Sequence, residues 1–209
     1  MSVPGQSALT LGHPRVHLRI TDSTNNRARE LALAGAPHGT LVTAGEQIAG
    51  RGRGGRRWSA PPGSSVLMSL LLRSPPRLLP LIAAVAVCEV AGEQAQIKWP
   101  NDIVLARPTG LAKLAGILAE GRPQQGWAVL GIGLNVAVRL EQLPVELRAS
   151  AATLGRSVGE VEPVLGELLL ALTRGLERSE LDTLAAWRAR DALRGRAIGW
   201  GTGRGRVEL

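Results

Sequence analysis

An α/β (α+β) fold is predicted by three features of the sequence. Strand-like and helix-like stretches alternate over roughly the first hundred residues, three apolar runs separated by turn signals follow between Asp102 and Gly133, and helical periodicity takes over after Val136. Alternating strands and helices build a sheet with helical crossovers, while consecutive apolar runs joined by tight turns build antiparallel hairpins. With 209 residues, 44% of them hydrophobic, the chain is long enough for one well-packed domain and a small appendage.

The elements follow in order. Val16-His17-Leu18-Arg19-Ile20 alternates as a half-buried strand does, and Asp22-Ser23-Thr24 offers side chains suited to capping a helix that runs to about Ala34 and ends at Gly35. A strand over residues 41–44 feeds a loop dense in glycine and arginine. Residues 66–72 read as a strand, 78–91 as a buried helix, and 97–99 as a short strand leading into Pro100. The turn signals Arg107-Pro108-Thr109-Gly110 and Gly121-Arg122-Pro123 divide the next stretch into hairpins. Leu165, Leu168, Leu169 and Leu172 are spaced for one face of a helix, a second helix is expected over residues 181–193, and residues 195–200 look like the opening strand of a small barrel.

Composition narrows the setting. The single cysteine, Cys88, lies in the apolar run of residues 81–88 and reads as part of a buried helix face in a reducing compartment. Residues 1–7 lack a basic start followed by an apolar core, and no apolar stretch reaches the roughly 18 residues of a membrane span, so a soluble, cytoplasmic protein without a membrane partner is expected. A net charge of +8 raises the question of nucleic acid. Phe and Tyr are absent, however, so stacking platforms would have to come from the five tryptophans. Of 25 basic residues only Lys98 and Lys113 are lysines. In a chain that otherwise uses arginine, a lysine suggests a site that wants a compact ammonium rather than a guanidinium fork.

Four segments carry chemistry. Gly50-Arg51-Gly52-Arg53-Gly54-Gly55-Arg56-Arg57-Trp58 has the ingredients of a phosphate cradle, because glycine lets backbone amides approach an anion and arginine supplies cationic forks. It matches neither the Walker pattern nor a Gly-x-Gly-x-x-Gly turn, and a basic loop touching RNA has the same composition. Lys98-Trp99-Pro100-Asn101-Asp102 brings an amine, an amide and a carboxylate together at a sharp turn, suited to Mg2+, a phosphate or a proton, or simply to an exposed turn. Lys113 starts the apolar segment Lys113-Leu114-Ala115-Gly116-Ile117-Leu118 and would otherwise snorkel from a strand edge. Gly131-Ile132-Gly133-Leu134-Asn135-Val136 ends a strand with two glycines that would let a planar ligand approach the backbone, or make an ordinary tight turn.

Taken together, Ser23-Thr24-Asn25, the loop from Gln47 to Arg53, Lys98-Trp99-Pro100-Asn101-Asp102, the Lys113 segment and Gly131-Ile132-Gly133-Leu134-Asn135 resemble, in order and spacing, the motifs of the biotin–protein ligase family. The resemblance spans residues 16–140. It implies a mixed β-sheet with helices on one side, a biotin synthetase-like catalytic domain related to class II aminoacyl-tRNA synthetases. It also implies a catalytic domain over residues 1–193, followed by the first strand of a truncated SH3-like domain over residues 194–209. Carried over motif by motif, Ser23, Thr24, Asn25 and Gln47 are expected to line a biotin pocket, with Arg51, Gly52, Arg53 and Lys113 at its carboxylate and phosphate end. Trp58 is expected to stack on adenine and Asn135 to lie beside the adenylate, with Lys98 and Asn101 toward ATP. Asp102 is expected to help hold Mg2+ and to take a proton from an incoming lysine, with Arg53, Lys113 and Asp102 as the catalytic set.

The implied reaction makes biotinyl-5′-adenylate from biotin and ATP, then transfers biotin to a lysine of the biotin carboxyl carrier protein domain of a carboxylase. Gly54 departs from the family loop, where a larger, often basic residue is common. A lipoate or octanoate ligase has a related fold but does not usually carry the Gly-Arg-Gly-Arg run. About fifteen residues precede the first strand, too few for the helix-turn-helix domain of ligases that double as repressors, so the monofunctional form without specific DNA binding is expected. Exposed strand edges would suit sheet-to-sheet pairing into a homodimer.

Overall fold

The computed structural model describes residues 11–200 and 203–206. In chain order the elements are β1 (Arg15–Thr21), α1 (Thr24–Leu33), β2 (Leu41–Gln47), β3 (Ser65–Arg73), α2 (Leu79–Ala91), β4 (Ala95–Lys98), β5 (Asp102–Arg107), β6 (Gly110–Arg122), β7 (Trp127–Asn135), α3 (Val145–Arg148), α4 (Val161–Glu177), α5 (Glu180–Ala189), β8 (Ala197–Trp200) and β9 (Gly203–Arg206). The first seven strands form one sheet in the order β1-β2-β3-β7-β6-β5-β4. Only β1 and β2 pair in parallel, and α1 supplies the crossover that a parallel pair requires. The other pairings are antiparallel, so the sheet is mixed as expected.

Strand alternation divides the apolar residues between two faces. Leu41, Leu70, Leu72, Leu130, Ile132 and Leu134 join α2 and α4 in the main core, whereas Val42, Leu71 and Val129 point the other way, onto Ala28 and Ala32 of α1. The expectation of helices on one side therefore holds for α2 and α4 and needs correction for α1. Its alanines bury a small patch on the opposite face, too weak a stripe to assign from sequence. α2 carries no charge from Leu79 to Cys88 because it is sandwiched between the sheet and α4. Cys88 is fully buried, and burial pushes its thiol up to about 12. Val164, Leu165, Leu168, Ala171 and Leu172 form the buried stripe of α4.

The helix expected to reach residue 193 stops at Ala189. There the chain turns to pair with the outer edge of β4, where the Ile97 amide donates to the Arg190 carbonyl at 2.7 Å and the Ala192 amide to the Ile97 carbonyl at 2.9 Å. Pairing covers a sheet edge that would otherwise leave backbone groups unbonded. The strand expected near residues 195–200 is β8, and a second strand, β9, pairs with it antiparallel. Residues 1–10, where the sequence offers no leader-like pattern, lie outside the described residues. Among the described residues no helix is long and apolar enough to cross a membrane.

Candidate functional site

A cavity of about 350 Å³ opens on the face that α1 shares, and all thirteen residues singled out in the sequence line it: Ser23, Thr24, Asn25, Gln47, Arg51, Gly52, Arg53, Trp58, Lys98, Asn101, Asp102, Lys113 and Asn135. The cavity has two chemically distinct ends.

The first end is neutral and polar, built at the N-terminus of α1. Ser23 caps the helix in an extended conformation without spending its hydroxyl on the cap, which leaves that hydroxyl beside the cavity. Gln47 reaches back from the end of β2. Its Oε1 accepts from the Thr24 amide at 2.7 Å and the Thr24 hydroxyl at 3.1 Å, so the amide nitrogen is left as a donor. Asn25 is fixed by the buried Ser69, whose hydroxyl donates to Asn25 Oδ1 at 2.5 Å, and by Glu120, which accepts from Asn25 Nδ2 at 2.9 Å. Gly131 makes room for this, since a Cβ there would fall 2.1 Å from Asn25 Oδ1.

The second end is cationic. The glycine-arginine loop folds on itself: the Trp58 amide donates to the Gly50 carbonyl at 2.9 Å and the Gly52 amide to the Arg56 carbonyl at 2.7 Å, around a short 3-10 turn at Arg53–Gly55. Gly54 has φ +66°, a left-handed conformation that glycine adopts without strain, so the departure at this position suits the turn. Arg51 donates to Asn26 Oδ1 at 3.1 Å and pairs with Glu120 at 2.9 Å. On the opposite wall Lys113 Nζ lies 2.7 Å from Asp102 Oδ1 and 5.5 Å from the centre of the Trp58 ring.

A β-bulge sets up that wall. Val104 pairs with Lys113 and Ile103 with Ala115, so Leu114 is the extra residue. Leu114 and Ala115 both enter the main core, and Lys113 and Gly116 consequently both reach the cavity, which strict alternation would forbid. The Lys113 backbone is held from the other side by the Ser150 carbonyl at 2.6 Å and the Ala152 amide at 2.7 Å. Lys98 and Asp102 face each other across the β4–β5 hairpin, and Asn101 Nδ2 donates to the Ile117 carbonyl at 3.1 Å, leaving Asn101 Oδ1 uncommitted. Asn135 spends its amide internally. Its Nδ2 donates to the Ala152 carbonyl at 2.8 Å, and its Oδ1 accepts from Ser65 at 3.4 Å.

The glycines of β7 act differently from either reading of the sequence. They lie within a continuous strand, and the planar group resting on Gly133 is Trp58, whose Cε2 would be 2.5 Å from a Cβ there. Three contributors were missed altogether: Ser69, Glu120, and the stretch from Leu143 to Ala151 that closes one side. Only Glu120 carried a usable signal, because period two from Gly116 places Leu118 and Glu120 on the same face.

Arg51, Arg53, Arg56, Arg57, Lys98 and Lys113 line the cavity, against a single carboxylate, Asp102. So unbalanced a set of charges favours an anionic ligand. Among the described residues no group of three His, Cys, Asp or Glu could hold a metal by itself. One carboxylate beside an uncommitted amide oxygen nevertheless fits Mg2+ held chiefly by substrate phosphates.

Comparison with known proteins agrees with this geometry. The family model described as "Biotin/lipoate A/B protein ligase family" matches residues 17–136. The bifunctional ligase/repressor BirA of Bacillus subtilis is 39% identical over 168 residues, covering 75% of this chain and 50% of that protein. The biotin–[acetyl-CoA-carboxylase] ligase of Paracoccus denitrificans is 34% identical over 202 residues, covering 87% and 82%. The structure of the Aquifex aeolicus biotin protein ligase in complex with biotin and ATP superposes with a TM-score of 0.75 at 26% identity, covering 94% of this chain and 87% of that one. The chain thus spans about half the length of the Bacillus relative and most of the Paracoccus one. With a family model covering more than half its length and a relative of similar extent at that identity, the chain belongs to the biotin/lipoate A/B protein ligase family.

Proposed function

We propose that this chain is a biotin–protein ligase, which activates biotin with ATP and transfers it to a lysine of a biotin carboxyl carrier protein domain. The observation that carries the reading is a single cavity with a neutral hydrogen-bonding end at Ser23, Thr24, Asn25 and Gln47 and a cationic end at Arg51, Arg53, Lys98 and Lys113. Biotin has the matching polarity, a neutral ureido ring at one end and a carboxylate at the other. The similarity to the Aquifex enzyme with biotin and ATP bound supports the same assignment.

In this reading Ser23, Thr24, Asn25 and the free Gln47 amide hold the ureido group, while Arg51 and Lys113 draw the carboxylate toward the α-phosphate of ATP and Gly52, without a side chain, leaves room beside them. A carboxylate oxygen attacks the α-phosphorus and pyrophosphate departs, leaving biotinyl-5′-adenylate. The acceptor amine then attacks the acyl carbon and AMP leaves. Lys113 and Arg53 stabilise charge on the phosphate oxygens in both steps. Trp58 and Asn135 border the adenine, with Lys98 and Asn101 toward the phosphates. Asp102 and Asn101 would hold Mg2+, which when bound neutralises phosphate charge. Asp102 also receives the proton that the acceptor ammonium must lose.

The proposed setting is the cytoplasm, with residues 1–193 as the catalytic domain and 194–209 as the start of an SH3-like domain. β1 is the sheet edge proposed to pair in a homodimer. No described element is proposed to read DNA, and sequence-selective retardation of DNA by this chain would overturn that. Calorimetric titration and pyrophosphate release with biotin, and in parallel with lipoate, test the central claim. Biotin should be preferred by up to about ten-thousandfold, because a site built for the ureido group leaves polar atoms unpaired with a ring that lacks it. Comparable adenylation of the two acids would refute biotin specificity.

A further inference from the structure

The two ends of the cavity are joined beneath it by one acidic side chain. Glu120 does not line the main cavity. It lies two residues beyond Leu118 on β6, and its two oxygens are divided between the ends: Oε1 is 2.9 Å from Arg51 Nη2, and Oε2 accepts from Asn25 Nδ2 at 2.9 Å. The chain of contacts continues from Asn25 through the fully buried Ser69, whose oxygen is 2.8 Å from that of Thr24, and from Thr24 to Gln47 at 3.1 Å. Asn25 cannot step aside toward β7 without meeting Gly131. Arg51, Glu120, Asn25 and Ser69 are therefore one hydrogen-bonded series, and the Thr24–Gln47 pair abuts its buried end.

The geometry points to Glu120 as a positioning residue that holds Asn25 and Arg51 in mutual register, so that the group binding the neutral ring and the group binding the carboxylate sit at a fixed separation. This inference rests on the biotin-ligase reading of the cavity. Both neighbours of Glu120 present N–H donors, so the position needs two acceptors. Only an ionised carboxylate offers that, whereas glutamine would turn an NH2 against one of the two donors. Charge also matters, since the Arg51 pair is charge-assisted and partly shielded from water.

That chemistry gives a test that a merely structural residue would not pass. E120Q should weaken biotin binding about tenfold, the order expected when one partly buried donor loses its acceptor. In an R51A background only the Asn25 donor remains. The glutamine oxygen can then accept from it while the NH2 points to solvent, so adding E120Q to R51A should change biotin affinity less than about threefold. Calorimetry on the four proteins, each checked for an unchanged Tm, reads both numbers. Wild-type affinity in E120Q, or the same tenfold loss in both backgrounds, overturns the proposal. If the wild type itself fails to bind biotin, the ligase reading is what falls, and tryptic cleavage after Arg51 in the ligand-free proteins decides for Glu120. Faster cleavage in E120Q supports its hold on Arg51, and equal rates overturn it.

Discussion

Replacing Lys113 with glutamine separates its contribution to stability from its proposed chemical role, because the two differ in magnitude. As a stabilising group Lys113 makes one ion pair, 2.7 Å to Asp102, with its own side chain 36% exposed, and one contact over the Trp58 ring at 5.5 Å. A solvent-screened pair contributes roughly 0–1 kcal/mol and an exposed cation–π contact about 0.5–1 kcal/mol. Glutamine can still donate to Asp102, so the loss of stability should stay near or below about 1 kcal/mol, a Tm shift of about 2–4 °C for a chain of this size. The proposed chemical role is larger. Biotin carboxylate and α-phosphate are both anionic, and a fixed cation between them is worth about a hundred- to a thousandfold in rate, or roughly 2.7–4 kcal/mol. Transfer starts from an adenylate already made and has one negative charge fewer to manage, so its loss should be smaller. The assay measures pyrophosphate release from biotin and ATP, and separately biotin transfer from synthetic biotinyl-5′-adenylate, for wild type and Lys113→Gln. Normal adenylate formation in the variant, or equal losses in the two steps, would refute this role and leave Lys113 as a strand residue that snorkels.

Two further outcomes are expected. Gly133→Ala places a methyl 2.5 Å from Trp58 Cε2 on a strand bonded on both sides, so the indole must retreat by about 1 Å to reach normal carbon contact, at a cost of about 1–3 kcal/mol; adding Trp58→Ala should cancel most of the Tm loss, and an equal loss with and without the indole would show that the strain lies elsewhere. Burial raises the Cys88 thiol to about 12, so the fold favours the neutral thiol, and stability is lost as pH rises above the unfolded thiol value of about 8.5. At pH 8 only about one thiol in ten thousand is ionised. Iodoacetamide should therefore label the native protein far more slowly than the denatured chain, in proportion to the fraction transiently unfolded, and labelling as fast as in denaturant would contradict the burial.

Much of this architecture was legible because strand alternation and turn residues are local signals. Arg107-Pro108-Thr109-Gly110 marks the β5–β6 turn, and the all-apolar run of α2 announces a helix covered on both sides. What escaped depends on partners distant in the chain. Nothing in Lys113-Leu114-Ala115-Gly116 reveals a bulge, since the extra residue exists only relative to β5. Glu120 lies 95 residues from Asn25, so its period-two place beside Leu118 gives its face of the strand but not its partner. The stretch after Val136 carried helical spacing, yet its first part is a short 3-10 turn and the four-residue α3, bent to close the cavity beside Lys113. Trp58 lines the cavity that its motif points to, but its seat on Gly133 is not readable from either segment alone.

The position of the cavity follows from the unequal lengths of a helix and a strand on one face. α1 has ten residues and spans about 15 Å, while β7 has nine and spans about 30 Å. A helix lying on the sheet can therefore cover only part of the strand. At the covered end Trp127 and Val129 pack under Ala28 and Ala32; past the helix N-terminus the same face continues as Gly131, Gly133 and Asn135 and meets the cavity. Side chains in between point to the other face, where Leu130 and Leu134 are fully buried in the main core. One strand thus carries three separable duties by parity and distance along its length. Substitutions at Leu130 or Leu134 act on stability, those at Val129 on the docking of α1, and those at Gly131 or Gly133 on the side chains that shape the cavity. The loop closing at Gly50 and Trp58 and the stretch ending at Ala151 wall in this uncovered portion of the sheet, which is why residues so far apart in sequence converge there.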